Sequence, residues 1–454
     1  MFKIVEKLED HFDSDTIDEI SRRLGGYIAR AKSFVIEENY VDRDWREEYS
    51  IFYSKTFYDN ISKFTTRVHM FSEKIVNSED WLRNLKEENY IGYFVLRPIP
   101  IKYGKLLKVL VKPMKKPLNV NEEEKLYLAA CEFTPHLGGS FVPKIKTFPF
   151  YAQDSSVTVC AHACMWMLTE YMHRKFHLNR PTIRDFIERT IPLLGRVVPS
   201  PGLSASQMCV ILSSLGYNVS IDASQSEMKN YRIYDTDRII KRIDAYLESG
   251  LPTILVVDSH CFIVAGHTLN KNGKRDYLIY DDSGYFIKQI ILDRSNGKKE
   301  CPFASKVEKD RLKDFLNSSS SFLAINVEFD KLFYPLGSVE KTADLAIRKL
   351  NSKVKKVSKT RILLADSNEF KSYMSRVGVY AFDCMPMPHY VWVVEFYDQS
   401  GLLGIVLLDA SAHRGDFEKH IIAHWFGNDL HVFRLKSKCR VGTYPPVYSN
   451  LLEI

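Results

Sequence analysis

Between Leu251 and Leu292 the chain carries four apolar runs in quick succession: LPTILVVD, HCFIVAGHTL, RDYLIYDD and FIKQIIL. Bounded by Gly, Asn and Asp, such runs read as strands. NKNGK (270–274) between the second and third is a hairpin turn signal, which makes that pair antiparallel. Helical patterns precede them. One follows Cys160 in CAHACMWMLTEYM, one lies in RPTIRDFIERTI, one in PGLSASQMCVILSSLGY ends at Gly216, and DTDRIIKRIDAYLESG stops at Gly250, a suitable C-cap. Residues 151–330 are therefore expected to form an α+β domain.

The flanks divide by the same signals. Residues 1–90 read as mainly helical: DTIDEISRRLGGYIARAKSFVIEENY spaces Ile17, Ile20, Leu24 and Ile28 helically, and SEDWLRNLKEENY offers Ser78 as N-cap with Trp81 and Leu85 on one face. Residues 91–150 read as a β-rich segment built on YIGYFVLRPIP and KLLKVLV. Residues 331–454 read as a C-terminal α/β accessory domain, with HYVWVVEFYDQSG and LGIVLLDASAH as a hairpin.

Composition narrows the function. With 45% apolar and 26% charged residues in 454, the chain is ordinary globular material of several domains. A net charge of +7 is mild for this length, so nucleic-acid binding is not expected. The basic stretch 348–361, RKLNSKVKKVSKTR, reads as a solvated face. No apolar run is long enough to span a membrane, and the charged, amphipathic N-terminus lacks the pattern of a secretory leader. The eight cysteines lack CxxC pairs, which fits reduced thiols in a cytoplasmic protein.

Chemistry concentrates in four positions. Cys160 heads an apolar helix, where unpaired N–H groups and the helix dipole favour thiolate over thiol. His260, one hundred residues on, starts a strand and can take the thiol proton. Asp281 or Asp282 closes the next strand and can fix the imidazole tautomer; Asp281 is preferred because it shares strand parity with Tyr277 and Ile279. Gln153, seven residues before Cys160, can donate to the oxyanion of a tetrahedral intermediate. Cys164, one turn beyond Cys160, reads as core. His267 lies about 20 Å from His260 along an extended strand and cannot serve the same site. His162, beside Cys160, is a further competitor for the role of base. His389 and Asp409 repeat the His–Asp spacing, but a sheet hairpin explains them. His173 and His177, at i and i+4, have no third ligand and read as surface residues. No metal or organic cofactor is expected.

On PFYAQD, CAHACMWML, GLS…LGY, SGLPTILVV, HCFIVAG and YLIYDDSG, residues 145–290 resemble the C39-like, papain-like cysteine peptidases. Proteins of that family show Gln shortly before a Cys that opens a central helix, a His with Gly six residues later, and an acid after the intervening strand. Here Ala161 stands where the family usually has Gly, Asp282 where it has Pro, and the Gln-to-Cys interval is seven, not six. The resemblance implies a papain-like core, with a helical subdomain packed on an antiparallel sheet. It also implies a cysteine peptidase using Cys160, His260, Asp281 and Gln153 on a protein or peptide substrate, gated by the flanks. A deamidase, transglutaminase or other acyl transferase would use the same chemistry, and a non-catalytic sensor would keep only the fold.

Overall fold

A computed structural model describes every residue except 1, 58–60, 155, 195–201, 225–231, 234, 285–286, 288–300, 352–356, 377–379, 400, 413–419, 427–428, 433–434 and 438–449. The FIKQIIL run, apart from Ile287, the centre of the basic stretch and Cys439 lie outside the described residues. The chain divides into two compact units: Met1–Thr236 with Pro252–Asn326 and Leu452–Ile454, and Asp237–Leu251 with Val327–Leu451.

The first unit holds two large sheets. One contains β1 (Phe2–Val5), β2 (Ser33–Tyr40), β3 (Thr65–Phe71), β4 (Tyr90–Leu96), β5 (Leu106–Val111) and the two-residue β9 (Phe150–Tyr151), in that spatial order and antiparallel throughout. Thus residues 1–90 are not mainly helical. Helices α1 (Ser14–Ile28) and α2 (Arg43–Ile51) are present, but SFVIEENY and TTRVHMF form strands β2 and β3. The β-branched, aromatic content of those runs outweighs a helical reading once both can pair in a sheet. SEDWLRNLKEENY forms turns and a short 3₁₀ segment at Glu87–Asn89 in place of a helix. Its residues are mostly exposed, so there is no buried face to support one.

The second sheet contains, in spatial order, β11 (Arg232–Ile233), β10 (Asn218–Ala223), β16 (Phe322–Glu328), β12 (Thr253–Val257), β13 (His260–Leu269), β14 (Tyr277–Tyr280) and β15 (Ala304–Val307). In addition, β6 (Lys125–Leu128) pairs with β13 and with β23 (Leu452–Glu453). The expected strands at 253, 260 and 277 and the NKNGK hairpin are present; Asn270 Oδ1 accepts from Asn272 N–H and Lys274 N–H to form the turn. Gly266 has a packing reason. A Cβ there would lie 2.4 Å from the Tyr127 carbonyl oxygen, because β6 joins β13 just where the β13–β14 register shifts. Helix α3 (Cys160–Phe176) lies against β13 and is buried at every position from Ala161 to Met172, which explains why that stretch is apolar on every face apart from His162, Thr169 and Glu170. Helices α4 (Ile183–Leu194) and α5 (Ala205–Ser214) complete this layer, and α5 carries a Ser204–Gln207 capping box.

In the second unit, β17 (Lys359–Asp366), β18 (Tyr390–Asp398), β19 (Gly401–Asp409), β20 (Ile421–Phe426), β21 (Asp429–Val432) and β22 (Leu435–Ser437) form a consecutive antiparallel sheet. The helices Thr236–Glu248, Leu336–Asn351 and Ser367–Arg376 accompany it. The sequence-adjacent pair HYVWVVEFYDQSG and LGIVLLDASAH is the β18–β19 hairpin. A buried cluster of Arg361, Glu248, Glu395 and Tyr397 ties the helix Thr236–Glu248 to this sheet. Both units mix helices with antiparallel sheet, an α+β architecture. Among the described residues no helix is long and apolar enough to cross a membrane.

Candidate active site

Cys160 is the first residue of α3, after Val159 in extended conformation as N-cap. Its backbone N–H is among those a helix leaves without an internal partner. His162 turns away from the thiol: its Nδ1 accepts from Val159 N–H at 3.3 Å and its Nε2 pairs with Thr190 Oγ at 3.1 Å. It is a capping residue, not a base.

His260 follows a tight turn. Val257 pairs with His260, leaving Asp258 and Ser259 as the two-residue connection, and Asp258 adopts φ +50°. The Asp258 carboxylate accepts from the backbone N–H of Ser320 and Ser321, each at 3.1 Å, which fixes the turn. His260 Nε2 then lies 2.9 Å from Asp281 Oδ1. The Cys160 thiol is within hydrogen-bond reach of the same ring. Since Nε2 faces the acid, Nδ1 is the nitrogen left for the thiol. The His260 side chain keeps 22% of its surface exposed and Asp281 none, so the ring meets solvent while the carboxylate stays dry.

Asp281 is fully hydrogen-bonded. Oδ1 also accepts from Ser283 N–H and Oγ, at 3.2 and 3.1 Å, and Oδ2 accepts from Ile287 N–H at 3.2 Å. Burial works against its charge, but the bond to His260, the charges of His260 and Arg23, and the Ile287 amide together hold it below the ordinary carboxylate range. Burial likewise opposes the imidazolium of His260. The hydrogen bonds to Asp281 and Cys160 and the two acids outweigh it, raising the ring to about 11.

At Cys160 the effects oppose each other, and the net direction is upward, toward the thiol. The contact with the Cys261 thiol and burial push the Cys160 thiol up; the contact with His260 pulls it down. Opposing the net upward direction, the buried Asp281 carboxylate paired with His260 favours a proton on the ring. Cys261, next to His260 on β13, is also within hydrogen-bond reach of Cys164, so it contacts both other thiols of this region. Because the Cys261 contact opposes ionisation, Cys261→Ala is expected to speed alkylation of Cys160 at neutral pH. Slower alkylation would mean that Cys261 donates to the thiolate instead.

Asp282 is buried beside the pair, with Oδ1 3.7 Å from His260 Nε2, and neither oxygen has a well-aligned donor among the described residues. Burial first, then the charge of Asp281, raise its carboxyl to about 7, against the pull of His260 and Arg23. The unfolded value is about 4. Between those values the folded state holds an extra proton, so the stability Asp282 contributes is greatest at low pH and is lost as pH rises through about 7. Asp282→Asn is therefore expected to gain stability over the parent between pH 4.5 and pH 8 in urea unfolding, with little difference at the acid end. His260, Asp281 and Asp282 bring ligand-type atoms within 4.8 Å of one another, but His260 Nε2 and Asp281 Oδ1 face each other as donor and acceptor.

Gln153 sits half-buried on the loop between β9 and α3, and among the described residues its side chain has no hydrogen bond to Cys160, His260 or Asp281. Its neighbours are fixed. Ala152 donates its N–H to the Leu107 carbonyl, and its own carbonyl accepts from Arg97 at 2.6 Å. Asp154 Oδ1 accepts from the N–H groups of Ser156, Val157 and Thr158, and Oδ2 accepts from Tyr53 Oη at 2.5 Å. Arg97 in turn pairs with Glu48, both wholly buried.

The remaining candidates fall elsewhere. Cys164 is buried core. His267 pairs across the sheet with Tyr277 and Tyr127 and packs on the Tyr127 ring. His389 faces Asp366, with Nε2 2.9 Å from Oδ2, while Asp409 caps a turn through Ser411. His173 Nδ1 bonds the Leu178 carbonyl oxygen, and His177 is the left-handed C-cap of α3. Arg23, Cys261 and the Glu48–Arg97 pair were not singled out from the sequence. The available signal for Arg23 was its i, i+4 spacing from Glu19, beside the apolar stripe of α1.

No family model matches the chain, and no curated protein does. Among solved structures it is similar to one titled as the crystal structure of UfSP from C. elegans, at 14% identity and a TM-score of 0.26. The match covers 40% of this chain and 32% of that one. A likeness of that size carries no weight for fold or activity.

Proposed function

We propose that the protein is a cysteine hydrolase that cleaves a peptide bond in a protein or peptide partner. The observation that carries this reading is the 2.9 Å pairing of His260 Nε2 with the buried Asp281 carboxylate, on a ring whose other nitrogen is left for a cysteine at a helix N-terminus. Cys160 Sγ attacks the carbonyl carbon as a thiolate. The proton held by His260 passes from Nδ1 to the leaving amine, and the acyl-enzyme is then hydrolysed with His260 as base. Asp281 keeps the ring in register and compensates its charge. The Cys160 backbone N–H and the Gln153 amide receive the oxyanion. The core around α3, β12, β13 and β14 is read as papain-like on the same grounds.

The test is alkylation of the full chain with iodoacetamide at near-neutral pH, followed by mapping of the modified cysteine. Cys160 is expected to react first. First reaction at Cys164 or Cys209 would sink the assignment. The flanking residues are read as restricting access, so the full chain is expected to cleave casein poorly; broad casein cleavage would remove the case for restriction.

A further inference from the structure

We infer that Arg23, on α1, is a positioning residue of this site: its guanidinium fixes the backbone turn that carries Asp281, and through it the orientation of His260. The inference rests on the hydrolase reading above. Arg23 lies far from the site in sequence and is buried. Nη2 donates to the carbonyl oxygens of Asp281 and Asp282, at 2.9 and 2.7 Å, and Nη1 donates to the carbonyl oxygen of Cys301 at 2.8 Å. One planar cation therefore satisfies three carbonyls on the two chain segments that flank the acid. No other side chain offers that fork; a lysine ammonium is a point charge without it.

The rest of α1 reinforces the clamp. Cys301 N–H and Phe303 N–H donate to the Arg22 and Arg23 carbonyls at 3.1 and 3.3 Å, and Phe303 O accepts from Asp281 N–H at 3.0 Å. Gly284, three residues beyond Asp281, has φ +68°, and a Cβ there would lie 2.1 Å from Arg23 Nη1 and 2.5 Å from Cys301 O. Only glycine lets the turn close on the guanidinium. One helical turn earlier, Glu19 accepts from the N–H groups of Gly104, Lys105 and Leu106, at 3.0 to 3.1 Å. Those residues lead into β5, the strand that pairs with β9 just before Gln153. A single helix face thus holds the acid turn with Arg23 and the approach to the Gln153 loop with Glu19.

A cavity of about 480 Å³ beside α1 is lined by Arg22, Arg23, Tyr27, Ile287 and Phe303, so a small cation has room to reach a vacated guanidinium position. This provides a test that a purely structural role would not pass. The full chain, Arg23→Ala and Arg23→Lys are compared for the rate of Cys160 alkylation by iodoacetamide, with circular dichroism and thermal unfolding to establish folding. Arg23→Ala is expected to react about tenfold more slowly, the cost of a displaced orienting group, and millimolar methylguanidinium is expected to restore most of that rate. Arg23→Lys is expected to remain slow. A folded Arg23→Ala at the parental rate, or a slowed one that methylguanidinium leaves unchanged, overturns the inference. If Arg23→Ala does not fold, Arg23→Lys decides: slowed alkylation supports the inference, the parental rate overturns it. The parent's own labelling reports on the hydrolase reading, and first reaction at another cysteine overturns both; the ratio of variant to parent reports on Arg23 alone.

Discussion

His260→Ala is expected to slow alkylation of Cys160 at pH 7 by at least about thirtyfold, the loss of thiolate if the thiol only reverted to an ordinary value near 8.5. The loss is expected to be larger than for any other single change except at Cys160 itself. The influences that oppose the thiolate, Cys261, burial and the charge of Asp282, remain in the variant, while the one that favours it is gone. The check is the second-order rate constant with iodoacetamide from pH 6 to pH 10. In the variant the rate should climb steeply with pH, while in the parent it should be nearly level at neutrality. Equal rates at pH 7 would show that Cys160 does not depend on His260.

Asp281→Asn is expected to be the second most damaging substitution, and Asp282→Asn to be mild or favourable. Every oxygen of Asp281 faces donors: His260 and Ser283 on one side, the Ile287 amide on the other. An asparagine must turn its NH₂ toward one of them, so the variant loses a hydrogen bond as well as the charge that compensates the imidazolium. A loss of alkylation rate of about tenfold or more is expected, with the protein still folded. Asp282 offers no such network, and its neutralisation removes a buried, poorly partnered charge. If Asp282→Asn were damaging and Asp281→Asn silent, the acid that serves His260 would have to be Asp282.

Much of this arrangement was legible from the chain. A helix opening at Cys160, strands at 260 and 277 and the Asn270–Lys274 turn are local signals, carried by periodicity and turn chemistry within a few residues. Gly266 was visible as an interval but not as a reason; the reason is the approach of β6 from more than a hundred residues away. Beyond the spacing of Arg23 from Glu19, its role was not legible, because its partners are backbone carbonyls at 281, 282 and 301, and a carbonyl has no residue signature. Strand β2 reads from sequence as a continuation of the preceding helical pattern, because both SFVIEENY and the α1 segment are apolar at mixed spacing. The helix Thr236–Glu248 looks from sequence like a neighbour of β12, yet it groups with residues 327–451. Proximity along the chain was a poor guide there because Arg361 and Glu395 recruit Glu248 across a long interval.

That interruption has a practical consequence for dissecting the protein. Residues 237–251 belong to one unit while lying between the Cys160 and His260 segments of the other. No contiguous fragment holds the first unit without carrying a piece of the second, and a single nick anywhere cannot release either one whole. A fragment of residues 145–330 would also lack Tyr53, Arg97, Glu48 and Arg23, the buried groups that brace both sides of the site. Silence from such a fragment would report a dismantled scaffold, not an absent activity. Separating the two units calls for a rewired chain, in which new termini and a linker replace the crossing segment.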